Sequence, residues 1–205
     1  MFDIQPMNNI WNKSPDPAKA KRNCHYEFVQ ILSALEPFML RTLPITFRVF
    51  DSKNSLIGVC CNLLSDSAPE GLPGDGIVKL FMQFLAELEE PVITQLQQKG
   101  DMDLFMENMV TAVDRRQLRD PAERVKCMYF IEEEEVLKVA RERRASFVIT
   151  TNTSPVTKDI SRLLAYKEER VSKASIEWTD DKGNPYVPSL VGDFNIQVTY
   201  KLLME

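Results

Sequence analysis

The residues best suited to chemistry in this 205-residue chain lie between Val113 and Lys126, where the sequence runs VDRRQLRDPAERVK. Arg115, Arg116, Arg119, Arg124 and Lys126 put five positive charges into one short window. A β-rich stretch, Asn108–Val113, precedes it, and a helix-period stretch follows from Pro121 to about Ala145. The window is therefore a turn from a strand into a helix. A helix start offers free backbone N–H groups and the positive end of the helix dipole. Together with the five cations it suits an anion such as a pyrophosphate. The alternative is a solvated basic turn, since no glycine is present to let the backbone approach a phosphate closely.

The helix start also carries its own acids. Asp120-Pro121-Ala122-Glu123 has the spacing of a capping box with proline at the first helical position. Proline has no N–H to offer. Asp120 is placed to accept one of the remaining amides, and Glu123 adds a second negative charge to the first turn. An incoming pyrophosphate would have to displace the first and tolerate the second.

Three further groups have chemical potential. Glu36 precedes Pro37 at a predicted helix end among Leu35, Phe38 and Met39, and it reads as a proton acceptor or as an ordinary surface glutamate. Thr157 and Ser161 are four apart and share a helix face, either as site hydroxyls or as capping and surface groups. Glu132-Glu133-Glu134-Glu135 is an acidic run of the kind that is usually solvated. Yet Glu132 falls in the middle of the apolar stripe Val125, Met128, Tyr129, Val136, Val139, Ala140. Either the helix is irregular there or Glu132 is partly buried and paired; irregularity is the preferred reading. The four cysteines match no zinc spacing, and a Cys–His pair would need the single histidine, His25. His25 sits beside Cys24, and sequence neighbours on a helix do not face each other. The thiols read as buried and reduced.

The elements that must position these groups follow from periodicity. Strands are expected at Phe2–Met7, Ile45–Phe50, Leu56–Leu63, Asn108–Val113, Phe147–Thr151, Val171–Thr179 and Phe194–Leu203. Helices are expected from Cys24, ended or kinked by Pro37; over Phe38–Leu43; from Ile77, ended or kinked by Pro91; from Pro121; and over Thr157–Glu169. This order predicts an α/β (α+β) chain, residues 1–205 forming one domain with a mixed, mostly antiparallel sheet of about seven strands and helices on both faces. A net charge of -5 without a charged tail argues against nucleic acid or an anionic membrane as partner. The first residues lack a signal-peptide layout, and no apolar run is long enough to span a bilayer, so the expected location is cytoplasmic.

Taken in this order, the elements resemble the GNAT superfamily of N-acetyltransferases, and within it the insect-type arylalkylamine N-acetyltransferases. The residues that carry the likeness are Phe2–Met7 as first strand, Glu36-Pro37 after the first helix and the Asp51–Gly58 hairpin with Ile57-Gly58. Met109–Val113 as a splayed fourth strand and the Tyr200-Lys201-Leu202 ending complete it. The resemblance implies the GNAT fold, acetyl-CoA as co-substrate, a small primary amine as acceptor, no metal, and a monomer or homodimer. It implies that amides near Ala112 and Val113 hold the thioester carbonyl. In the superfamily's Arg/Gln-x-x-Gly-x-Gly/Ala loop, Arg119 matches the first position, while Ala122 and Arg124 stand at the two small-residue positions. Glu36 matches the general base, and Ser161 a hydroxyl that returns a proton to the CoA thiolate. The departures are the missing glycines, Lys167-Glu168-Glu169 in place of Leu-Gly-Phe, and Leu164 where many relatives carry a catalytic tyrosine, with Tyr166 two residues late. Two functions are therefore expected: acetyl transfer from acetyl-CoA to an arylalkylamine-like amine, or a catalytically inactive pseudo-acetyltransferase acting as a binding or interaction module.

Overall fold

A computed structural model of the protein describes residues 15–40, 46–67, 71–100, 102–173, 177–180, 182–186 and 195–203. The strand expected at Phe2–Met7 and residues 41–43 of the second helical stretch lie outside them. The first hairpin joins β1 (Phe47–Phe50) to β2 (Leu56–Leu64). Asp51 closes it, because its Oδ1 accepts from the amides of Lys53 at 2.9 Å and Ser55 at 2.7 Å. Asn54 takes the left-handed conformation that the turn needs, with φ 62°.

Helix α1 (Pro17–Leu40) buries Cys24, Phe28, Ile31 and Leu35 along one face, and α2 (Ile77–Gln97) buries Val78, Phe81, Phe84, Leu88, Val92 and Leu96. Each such side chain, fully buried, contributes about 1.5–3 kcal/mol. Of the two outcomes expected for Pro37 and Pro91, neither proline ends its helix; each lies inside it. Both prolines, and the residues four before them, are exposed, so water can take the carbonyls that lose a partner. Glu27 of α1 ties the two helices together: its carboxylate accepts the amides of Val78 at 3.1 Å and Lys79 at 2.9 Å, at the N-terminus of α2.

The remaining elements are β3 (Phe105–Val113), α3 (Pro121–Phe130), a π-helical segment (Ile131–Val136), α4 (Leu137–Glu142), β4 (Phe147–Asn152), α5 (Pro155–Leu163), β5 (Lys167–Lys173) and β6 (Asn195–Leu202). The described residues form a six-stranded sheet in the order β1-β2-β3-β4-β6-β5. Only β3 and β4 run parallel; every other pair is antiparallel. One core lies between the sheet and α1–α2, closed by Trp178, whose ring stacks 5.9 Å from Phe84. The other lies under α3, the π segment, α4 and α5, around Met106, Ile131, Val136, Val148 and Ile160. The mixed sheet with helices on both faces is thus as expected. No described helix is long and apolar enough to cross a membrane.

Two irregularities shape the middle of the sheet. The β2–β3 register shifts between Cys61 and Asn62, so Cys61 faces Val110 while Asn62 faces Asn108, and Met109 is the extra residue. The bulge brings Asn108 and Thr111, three apart, to the same face. Pairing of β3 with β4 then stops at Asn108↔Thr150. Beyond that point β3 stays with β2 as far as Val113, and β4 stays with β6 as far as Asn152. The two strands splay, and a gap opens in the centre of the sheet.

Candidate active site

A cavity of about 360 Å³ fills this gap and reaches both faces of the sheet. Its apolar end is made by Phe28 of α1 and by Phe81, Met82 and Leu85 of α2. Its other end is made by the basic turn and the first turns of α3, through Arg115, Pro121, Arg124, Val125 and Met128. Past Asn108, every second residue of β3 turns its N–H and C=O toward the missing β4 partner, so the wall itself offers unpaired backbone donors.

On the α3 side the wall carries a polar cluster. Glu132 is partly buried, and its Oε1 accepts from Thr111 Oγ1 at 2.8 Å and Asn108 Nδ2 at 2.9 Å. Burial pushes its carboxyl up to about 7 against the pull of those two hydrogen bonds. Cys60 lies behind, 3.3 Å from Thr111 Oγ1; burial first, and the Glu132 charge second, hold its thiol protonated. Tyr166 closes the cluster with a buried hydroxyl that has no hydrogen-bond partner. Burial, with Glu132 and Cys60 adding to it, raises this phenol well above its ordinary range.

The opposite wall carries Ser161, which exchanges hydrogen bonds with Asn152 at 3.0 and 3.2 Å. Asn152 also donates to Thr199 Oγ1 at 2.9 Å. Under the other sheet face, Thr151 Oγ1 donates to Glu89 of α2. Burial, and then the neighbouring Glu107, raise the Glu89 carboxyl; burial pushes Glu107 up to about 7.

The structure brings Ala112, Val113, Arg124 and Ser161 to the walls of one cavity. It does not bring Glu36, Arg119 or Ala122 there. Glu36 is exposed near the end of α1, and Arg119 is exposed in the turn. The Ala122 amide is taken by Asp120 Oδ1 at 3.0 Å, with Pro121 at the first helical position. The turn is satisfied from within in other ways too. Asp114 accepts the Arg116 amide at 2.8 Å and pairs with its guanidinium at 2.7 Å, which lowers the Asp114 carboxyl to about 2. Arg124 Nη1 donates to the carbonyls of Leu118 at 3.0 Å and Arg119 at 2.8 Å.

Sequence reasoning missed Asn108, Thr111, Cys60 and Asn152, which carry no motif. It did single out Glu132, and both alternatives hold there: the helix is π-helical, and Glu132 is partly buried and hydrogen-bonded. Tyr166 lies beyond the end of α5, after Ala165 at φ 56°, so helical spacing does not set its direction.

Known structures share the fold of this chain. The C-terminal condensation domain of Ebony, solved in complex with beta-alanyl-dopamine, superposes with a TM-score of 0.77 at 22% identity, over 98% of this chain and 94% of that one. This chain is a GNAT-fold protein. It shares the fold with arylalkylamine N-acetyltransferase 2 from Aedes aegypti, at a TM-score of 0.65 and 15% identity, over 99% of this chain and 89% of that one. In sequence it is 31% identical over 124 residues, 60% of its length, to the beta-alanyl-bioamine nonribosomal peptide synthetase ebony of Drosophila melanogaster. It spans 14% of that protein's length. No family model matches the chain.

Proposed function

We propose that this GNAT-fold chain transfers an acyl group from a thioester to the primary amine of an arylalkylamine. The observation that carries this reading is the cavity through the splayed strands. It joins an apolar end fit for an aromatic ring to an end lined by unpaired strand backbone and basic residues. The amine nitrogen attacks the thioester carbon, the C–S bond breaks, and the products are an amide, a free thiol and one proton. Main-chain N–H groups near Ala112 and Val113 hold the carbonyl oxygen as it gains charge. Ser161 faces the same cavity and returns a proton to the departing thiolate. The ammonium proton leaves to solvent, since Glu36, the base that the likeness suggests, is exposed near the end of α1 and lines no wall of this cavity.

Acetyl-CoA is the donor implied by the fold relatives. The self-satisfied turn supports a narrower reading, in which the acyl-pantetheine arm supplies the affinity and the nucleotide phosphates supply little. Asp120, Pro121, Asp114 and the Arg124–carbonyl bonds leave few groups for a pyrophosphate. The same feature favours a second reading, a binding module without turnover. Mass spectrometry of tyramine or dopamine incubated with acetyl- and β-alanyl-thioesters separates the two. Amide formation with pantetheine and CoA thioesters at similar rates is the expected result. No amide from either donor overturns the transferase reading.

A further inference from the structure

An arylalkylamine arrives as an ammonium and must lose a proton before its nitrogen can attack. Among the described residues, no carboxylate lines the cavity on its α1–α2 side, where the wall is Phe28, Phe81, Met82 and Leu85. That side does have a hydroxyl in the wall, Thr151 of β4. Thr151 is the first residue of β4 beyond the last β3 pair, Asn108↔Thr150, so it stands where the strands part. Its side chain lies on the α1–α2 face, because Oγ1 donates to Oε1 of Glu89 on α2. Among the described residues no group donates to Oγ1 in return. The hydroxyl proton therefore points to Glu89, and the oxygen's lone pairs are left for a donor in the cavity.

Glu89 is 5% exposed in the middle of α2, one helical turn after the cavity residue Leu85. The elements packed on α2 meet it mainly through apolar side chains, such as Ile31 of α1, Ile149 of β4 and Val198 of β6. The charged side chain that acts on Glu89 is Glu107 of β3, which the pairing with Ile149 holds on the same sheet face. On β5, Lys167 and Arg170 are paired with Glu169 and Glu177, and Glu27 of α1 is taken up by the amides at the start of α2. Among the described residues no salt bridge reaches Glu89 or Glu107. Burial and a second acid both favour a protonated Glu89, which makes its carboxylate a stronger base than an exposed one. We infer that Thr151 and Glu89 form the proton relay that deprotonates the acceptor ammonium. The ammonium proton passes to Thr151 Oγ1 as the hydroxyl proton passes to Glu89 Oε1, leaving a neutral amine and a protonated Glu89. Once the product has left, Glu89 gives the proton back through Thr151 to solvent. Glu89 acts through Thr151 and touches no substrate atom. The relay rests on the acyl-transfer reading.

Steady-state kinetics with acetyl-CoA and two acceptors of one shape tests the relay. Phenethylamine is an ammonium at neutral pH, whereas O-benzylhydroxylamine, an alkoxyamine, is already unprotonated there. Glu89→Gln and Thr151→Val are expected to lower kcat/KM at neutral pH about a hundredfold for phenethylamine and less than about threefold for the alkoxyamine. Thr151→Ser, which keeps the hydroxyl, recovers most of the rate lost in Thr151→Val. With phenethylamine the native profile levels off below the pKa of the amine. Glu89→Gln climbs about tenfold per pH unit toward that pKa, because it depends on the free amine. Thermal melts verify folding, and should Glu89→Gln fail to fold, the Thr151→Val and Thr151→Ser pair carries the same comparison. Equal losses for the two acceptors, an undiminished phenethylamine rate, or identical pH profiles would overturn the relay and leave the transferase reading standing. So would a selective loss in Glu132→Gln instead, which would put the proton acceptor on the α3 face. No product from the native chain with either acceptor overturns both.

Discussion

Glutamine at position 132 should make the protein more stable at neutral pH. Burial holds the Glu132 carboxyl at about 7, against an ordinary value of 4.5. A folded-state pKa raised in this way means that the favourable contribution is complete below 4.5 and is lost as pH rises through about 7. The interval from 4.5 to about 7, at about 1.36 kcal/mol per pH unit, amounts to about 3 kcal/mol. This is an upper bound, since Glu132 is only partly buried. Glutamine is neutral throughout, and its carbonyl can keep accepting from Asn108 and Thr111. Urea unfolding of both proteins at pH 5 and pH 8 measures the difference. The variant should lie within about 1 kcal/mol of the native chain at pH 5 and exceed it by about 1–3 kcal/mol at pH 8. Glu89 and Glu107 titrate in both proteins and cancel in the comparison. A difference that is the same at the two pH values, or a variant weaker at pH 8, would refute the reasoning.

Three other substitutions test the remaining features. Glu36→Gln should leave the rate of amide formation within about twofold, because Glu36 is exposed and lines no cavity wall; a tenfold fall with unchanged donor affinity in steady-state kinetics would restore it as the base. Asp120→Ala frees the Ala122 amide, so it should reduce stability by about 1 kcal/mol while strengthening CoA binding about twofold to fivefold; weaker CoA binding by calorimetry would contradict the self-capped reading of the turn. Gly76→Ala would place a Cβ 2.3 Å from the Glu27 carboxylate that holds the start of α2. It should cost about 1–2 kcal/mol by thermal melt and show no further loss when combined with Glu27→Ala.

The central strands, the hairpin around Asp51 and the strand–turn–helix unit were legible because each rests on local signals, whereas Lys167–Glu169, expected to continue a helix, open β5. Alternation, turn residues and the proline after Asp120 all act within a few residues. The cavity was legible only as an implication of the family likeness. It depends on where β3 parts from β4, and that is decided by a one-residue bulge at Met109 without a signature of its own. Proline alone could not tell a helix end from a helix interior at positions 37 and 91. Its helix-breaking effect is weakest where the freed carbonyl meets water, and exposure is a tertiary fact. Asn108, Thr111 and Tyr166 could not be read together because α3, the π segment, α4, β4 and α5 separate the first from the last. Glu132 was half visible, since an acid in the middle of an apolar stripe breaks the pattern.

The π-helical segment bears on how the chain tolerates insertion and deletion. Ile131 and Val136 are both buried and five apart, which a continuous α-helix would not permit on one face. The segment holds one residue more than an α-helical turn needs, within a run of four identical side chains. Loss of any one of those glutamates leaves the same letters before and after, yet it allows the rod to close into a regular α-helix. The side chains beyond the deletion would then turn by about 100° relative to those before it. Either the α4 core face or the cavity carboxylate would have to leave its place. Length in this run is therefore under tighter constraint than composition, although the run looks like an interchangeable string of charges.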